Sequence, residues 1–108
     1  LDSVRTYNHI DDAIQAYWLC SESENFGEIY NIGGDTTCKV GDVLDLLISL
    51  STKKNLIKQV DPERVRPTDI TLQIPSSAKF KADYNWLPKK QLKDICSDLL
   101  EYWRKYYD

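Results

Sequence analysis

A chain of 108 residues has the length of one ordinary domain, able to bury roughly 65% of the surface its unfolded form exposes. With 42% apolar, 11% aromatic and 29% charged residues it has the make-up of a folded globular chain, which sets aside disordered, collagen-like and membrane-embedded classes. Fourteen Lys and Arg against 17 Asp and Glu leave a net charge of -3, so no basic field is available for phosphates along a strand and no nucleic-acid partner is expected.

No apolar run approaches the roughly 18 residues of a spanning helix, and LDSVRTYNHI lacks the charged-then-apolar order of a signal peptide. A cytoplasmic location with no membrane partner is the expectation. Cys20, Cys38 and Cys96 are odd in number, form no CxxC pair and have one histidine, His9, beside them in the composition, so packed, reduced thiols are expected and no metal site is. Cys20 and Cys96 both fall on apolar helix faces, where cysteine is commonly buried. The chain opens at Leu1 without Met and reads as a piece of something longer.

In chain order, HIDDAIQAYWLCSE places Ile10, Ala13, Ile14, Tyr17 and Trp18 on one helical face, with Asp11 and Asp12 in a first turn where the helix dipole favours acids. This predicts a helix from about residue 10 to 22, with His9, Asp11 and Asp12 as structural groups at its start. EIYNI (28–32) reads as a short buried strand, closed by the turn Gly33-Gly34-Asp35. VGDVLDLLISLS carries Val43, Leu46, Leu47 and Leu50 at helical spacing, with Lys39 where a Ser or Thr cap would pair with Asp42. NLIKQV (55–60) reads as a second strand. PSSAKFKADYNW predicts a short helix capped by Ser76 or Ser77 and stopped near Tyr84-Asn85. QLKDICSDLLEYWRKYY closes the chain with the clearest amphipathic pattern, Leu92, Ile95, Cys96, Leu99, Leu100, Trp103 and Tyr106.

The result is an α/β chain, mostly helical with a few short strands, and too few of them for a doubly wound sheet covered on both faces. Its glycines lack the G-x-G-x-x-G spacing of a pyrophosphate cradle, and no phosphate-binding P-loop is present, so no cofactor site is expected within the chain. Gly33-Gly34 is therefore read as a turn. The unusual stretch is DPERVRPTDI (61–70), where two arginines, Arg64 and Arg66, stand among three acids and two prolines between apolar segments. One reading is a solvated surface pair between Arg66 and Asp69; the other is a rigid turn carrying an anion site.

Five stretches, RTYNHIDDAIQAYW, GEIYNIGGDTT, VGDVLDLLISLS, DPERVRPTDITLQIPSSAKF and DYNWLPK, decide between these by resemblance. In this order and spacing they resemble the C-terminal portion of the extended short-chain dehydrogenase/reductases that act on nucleotide sugars, the NAD-dependent epimerase/dehydratase family, and within it most of all the GDP-mannose 4,6-dehydratases. The resemblance covers essentially the whole chain. Its most specific pieces are Arg66-Pro67-Thr68-Asp69 and the arginine, Arg5, ahead of the HIDD helix start.

The resemblance implies a single C-terminal substrate-binding domain over residues 1–108, lacking the main Rossmann domain, with residues of about 1–35 packed on or joined to that absent part. It implies that Arg5 and Arg66 hold the diphosphate of a GDP-sugar and that Asp69 contacts its ribose hydroxyls; Arg64 is left solvated. The fit is chemical too, since planar guanidiniums bind phosphate oxygens in bidentate fashion and a carboxylate accepts from both hydroxyls of a ribose. NAD or NADP belongs to the absent Rossmann part. There it would oxidise C4 of GDP-mannose, water would leave across C5 and C6, and the hydride would return to C6, giving the 4-keto-6-deoxy sugar. The catalytic residues are absent here, so the chain is not expected to catalyse alone. Alternatives are the same portion of a GDP-sugar 4-reductase or nucleotide-sugar 4-epimerase, and a stand-alone binding module. Severed from its Rossmann part, the chain is expected to expose the apolar face of its first helix and to self-associate.

Overall fold

The computed structural model describes residues 1–107. Strand β1 (Val4–Tyr7) leads into helix α1 (Ile10–Ser21), followed by β2 (Thr36–Lys39), α2 (Val40–Leu50), a single 3-10 turn (Pro62–Arg64), β3 (Leu72–Gln73), α3 (Ala78–Tyr84) and α4 (Leu92–Tyr107). The three strands form one sheet in the order β2-β1-β3. β2 runs antiparallel to β1 with Arg5 opposite Cys38, whereas β3 runs parallel to β1 with Arg5 opposite Gln73.

The helices begin and end where the sequence puts them, and local chemistry explains why. At the start of α1 the His9 Nδ1 accepts from the Asp11 amide at 3.0 Å, which makes Nε2 the protonated nitrogen; it donates to Asp98 Oδ2 of α4 at 2.7 Å. At the start of α2 the Lys39 amide donates to Asp42 Oδ2 at 3.4 Å, so the acid half of a capping box works without a hydroxyl at the cap. Helix α3 stops at Asn85, whose φ of 52° is the left-handed conformation that ends helices and that Asn tolerates. Ser76 Oγ accepts from the Ala78 amide, while Ser77 is drawn away to Gly33, accepting from its amide at 2.7 Å and donating to its carbonyl at 3.2 Å.

Two of the expected strands differ from the structure. EIYNI has Tyr30 and Ile32 packed against the core and Ile29 exposed, yet it forms no ladder among the described residues. Side chains hold it instead: the Tyr30 ring meets Phe80 and Tyr84 edge-on at 5.3 and 5.5 Å, and its hydroxyl donates to Asp83 at 2.7 Å. NLIKQV is likewise unpaired and exposed along its length. The real strands are VRTY, TTCK and the two residues Leu72–Gln73.

The core is small: Ala16, Phe80 and Trp86 form one buried cluster, with Leu19, Tyr30, Ile32 and Tyr84 against it. Asp12 anchors this region, its carbonyl accepting from Trp86 Nε1 at 3.1 Å and its carboxylate from the Lys89 and Lys90 amides at 3.0 Å each. Cys96 is buried as expected, but Cys20 is exposed: it stands in the last turn of α1, past the buried Asp12 and Ala16. Ile10, Ile14, Tyr17 and Trp18 are all more than half exposed. The chain is flat, 52 × 36 × 20 Å, with a radius of gyration of 16.7 Å against the roughly 13 Å of a compact chain of this length.

Candidate functional site

Strand β1 and the turn after NLIKQV meet at one carboxylate. The pairing of β1 with β3, reinforced by the Val4 amide donating to the Thr71 carbonyl at 2.8 Å, brings residues 69–73 alongside the start of the chain. Asp69 then accepts from Ser3 Oγ at 2.7 Å and lies 3.6 Å from Arg5 Nη2, a pair formed across 64 residues of sequence. Ser3 and Arg5 share one side of the extended chain by the two-residue period, which is why both reach the same acid. Arg5 also donates to its neighbour's carbonyl, Val4 O, at 2.9 Å, which fixes the guanidinium near the strand.

The Asp69 carboxyl is held below the usual carboxylate range, first by the Ser3 hydrogen bond, then by the Ile70 amide and the charges of Arg5 and Arg66, against some desolvation. Ser3 and Arg5 outweigh Arg66 because they are the groups in contact with the carboxylate.

Asp69 and Arg66 line an open hollow of about 590 Å³ together with Gln59, Val60, Val65 and Arg64. Pro62, at the first position of the 3-10 turn, and Asp61, which accepts from the Glu63 amide at 3.0 Å, set the bend that carries them. Arg64 is largely exposed and pairs with Asp61 at 3.4 Å, in keeping with a solvated role. No ion pair involves Arg66 among the described residues, so its guanidinium stands uncommitted at the edge of the hollow. Arg5 lines a second hollow of about 240 Å³, on the Gly33–Gly34 side of the sheet. Of the three residues singled out from the sequence, the structure therefore brings Arg5 and Asp69 into contact and puts Arg66 beside Asp69. Ser3 and Gln59 were missed; the alternation Ser3, Arg5, Tyr7 was the available signal for the first, and Gln59 carried none.

The Gly33–Gly34 pair does not fit a dinucleotide. A Cβ on Gly34 would fall 1.6 Å from the Tyr7 carbonyl oxygen and one on Gly33 2.8 Å from Pro75 Cγ, so the space a pyrophosphate would need is filled by β1 and residue 75. Among the described residues no group of three His, Cys, Asp or Glu side chains is arranged to hold a metal ion, and no helix is long and apolar enough to cross a membrane.

With this geometry in place, the comparison with known proteins is direct. The family model for GDP-mannose 4,6 dehydratase matches residues 1–99. The chain belongs to that family. Its relatives include the dTDP-4-dehydro-6-deoxyglucose reductase of Escherichia coli, 27% identical over 101 residues, and the GDP-mannose 4,6 dehydratase of Drosophila melanogaster, 21% identical over 119 residues. Each alignment takes in 94% of this chain but only 31% and 30% of the relative. Among solved structures, UDP-glucose 4-epimerase of Thermotoga maritima with UDP-glucose superposes with a TM-score of 0.85 at 27% identity, over 99% of this chain and 33% of the other. RMD from Pseudomonas aeruginosa in complex with NADPH gives 0.83 at 20% identity, over 97% and 34%. The family is one of extended short-chain dehydrogenase/reductases with a Rossmann-type fold, and this mixed α/β chain spans about a third of its relatives' length.

Proposed function

We propose that the chain is the substrate-binding C-terminal part of a nucleotide-sugar enzyme, with GDP-mannose 4,6-dehydratase as the parent activity. The observation that carries this reading is the contact of Arg5 with Asp69 at 3.6 Å beside the uncommitted Arg66. Arg66 and Arg5 bind the diphosphate, whose paired anionic oxygens match two planar guanidiniums better than they match lysines. Asp69, already ionised and oriented by Ser3, accepts from the ribose hydroxyls. The turn at residues 61–69 presents these groups on a frame stiffened by Pro62 and Pro67.

The remainder of the enzyme is a preceding Rossmann domain that binds NAD or NADP and supplies the catalytic groups. Residues 1–35 pack on it. Support comes from the flat shape of the chain and from the uncovered Ile10, Ile14, Tyr17, Trp18, Phe26 and Ile29, each more than half exposed. Without that covering the same face drives self-association, measurable by light scattering as a mass that rises with concentration. A GDP-sugar 4-reductase or nucleotide-sugar 4-epimerase built on the same two parts is the neighbouring reading, favoured by the 27% identities to a reductase and an epimerase.

Calorimetric titration of the chain with GDP tests the site. Arg66→Ala weakens binding by about 1.5–3 kcal/mol, the range for hydrogen bonds to charged groups. Unchanged affinity would leave Arg66 as a solvated surface charge and remove the site.

A further inference from the structure

We propose that helix α4 docks antiparallel onto α4 of a second copy of the chain, through a seam of Ile95, Leu99, Tyr102 and Tyr106. These four follow one another at spacings of four, three and four residues, the repeat by which one helix lies along another. The helix shares no residue with the Arg5–Asp69 site, so this surface stands apart from the nucleotide-sugar reading. Along its first half α4 is covered by its own chain, with Cys96 buried and Ile95 half-buried. From Leu99 onward the seam is uncovered, and Tyr102 and Tyr106 are 60% and 70% exposed.

This part of the helix is placed before any partner arrives. Arg104 Nη2 donates to the Leu50 carbonyl of α2 at 3.2 Å, which ties α4 to its neighbour. Trp103, beside the seam, stands edge-on to Tyr102 at 5.2 Å and to Tyr106 at 5.7 Å. Rings already packed against one another lose little freedom on docking, and they carry a large apolar area into the contact.

Charge at the border of the seam selects the occupant. Asp98 and Lys105 each stand one residue before a seam position, Leu99 and Tyr106, and so lie on the same flank of the helix. Asp98 accepts from His9 Nε2 at 2.7 Å with one oxygen and its side chain remains 61% exposed; Lys105 is exposed as well. In an antiparallel pair about a twofold axis this flank meets itself. Leu99 then packs on Tyr102 of the partner subunit, Ile95 on Tyr106 of the partner subunit, and Asp98 faces Lys105 of the partner subunit, each contact being made twice. A parallel pair would set Asp98 against Trp103 of the partner subunit and leave both charges unmatched. The mixed signs also separate this stripe from a helix lying on an anionic membrane, whose flanks are basic.

Sedimentation equilibrium tests the seam, on a chain carrying Ile14→Glu so that association through the exposed face of α1 is silenced. A monomer–dimer equilibrium is expected in that chain. Added to it, Lys105→Glu and Asp98→Lys each set like charges opposite one another and weaken the dimer about tenfold. An equal mixture of the two variants restores the affinity, because both flanking pairs in the mixed dimer are again of opposite sign. A chain that stays monomeric at every concentration, a dimer as tight with Lys105→Glu as without it, or a mixture that associates no better than either variant alone overturns the proposal. Should Asp98→Lys not fold for want of the His9 bond, Tyr106→Lys is read in its place, at an exposed position of the seam. Loss of the dimer is expected there, and an unchanged dissociation constant overturns the proposal.

Discussion

Residues 76–100 and residues 52–74 are adjacent in sequence and held in place by different physics. The first region is packed: Phe80, Trp86 and Cys96 are buried, Ser77 is bonded at both its donor and acceptor sides, and the Asp12 carboxylate takes two backbone amides from residues 89 and 90. The second is exposed at every residue and is attached by a two-residue strand, by Asp69 and by the Lys58–Asp45 ion pair to α2. The candidate site draws Arg66 and Asp69 from the second region and Arg5 from strand β1, which is laddered to β2 on one side and β3 on the other. Its geometry is thus more firmly held at Arg5 than at Arg66, which under the proposed reading suits a turn that settles when an anion arrives.

That contrast can be broken first in the packed region. Trp86→Ala removes the largest fully buried side chain together with its hydrogen bond to the Asp12 carbonyl, and should cost about 3–5 kcal/mol in a denaturant titration. Asp12→Ala leaves the Lys89 and Lys90 amides unpaired and should cost about 1.5–3 kcal/mol by the same measurement, with loss of the join between α1 and the segment leading into α4. In the exposed region the order reverses. Arg66→Ala should leave the melting temperature within error of the wild type while weakening GDP, because the side chain holds no ion pair to lose among the described residues. A melting shift as large as that of Asp12→Ala would show that the turn is structural after all.

The finest probe is acidity. Because the folded carboxyl of Asp69 titrates below its ordinary value near 3.9, its contacts with Ser3 and Arg5 are at full strength above that value. They are lost only as the pH falls through the lowered folded value. GDP affinity should therefore be flat with respect to this group between pH 8 and 5, and NMR titration of the Asp69 carboxyl carbon should give a midpoint below that of an unfolded peptide. A midpoint at or above the peptide's would mean that Ser3 and Arg5 do not favour the ionised form.

The helices were legible in the sequence because each carries its own evidence: a 3.6-residue period, acids in the first turn of α1, and an Asn able to take a left-handed stop at position 85. The strands were not. VRTY and TTCK are four residues each, with paired residues 29 to 35 positions apart, so what makes them a sheet is a partner that local pattern does not reveal. EIYNI has the alternation of a strand and uses it, but against aromatic side chains of α3 instead of a backbone ladder. The glycine pair was read as a turn because it lacks the spacing of a pyrophosphate cradle; the structure adds that Gly34 has no room for a side chain against the Tyr7 carbonyl and Gly33 little against Pro75. At the site, Arg5 and Asp69 were matched by motif and do meet; Ser3 belongs to no motif and becomes visible only through distance.

The parallel join of β3 to β1 has a consequence for how the molecule assembles. Val4 pairs with Leu72, so 68 residues of chain must be gathered before that ladder can close, while α1, α2 and α4 form from contacts within a turn or two. Loop closure over such a span is entropically costly and gains little from a two-residue strand. The pocket holding Arg66 and Asp69 is accordingly among the last features to form during folding and among the first to open, and an anion bridging Arg5 and Arg66 would slow that opening as a clasp placed at the far end of the loop.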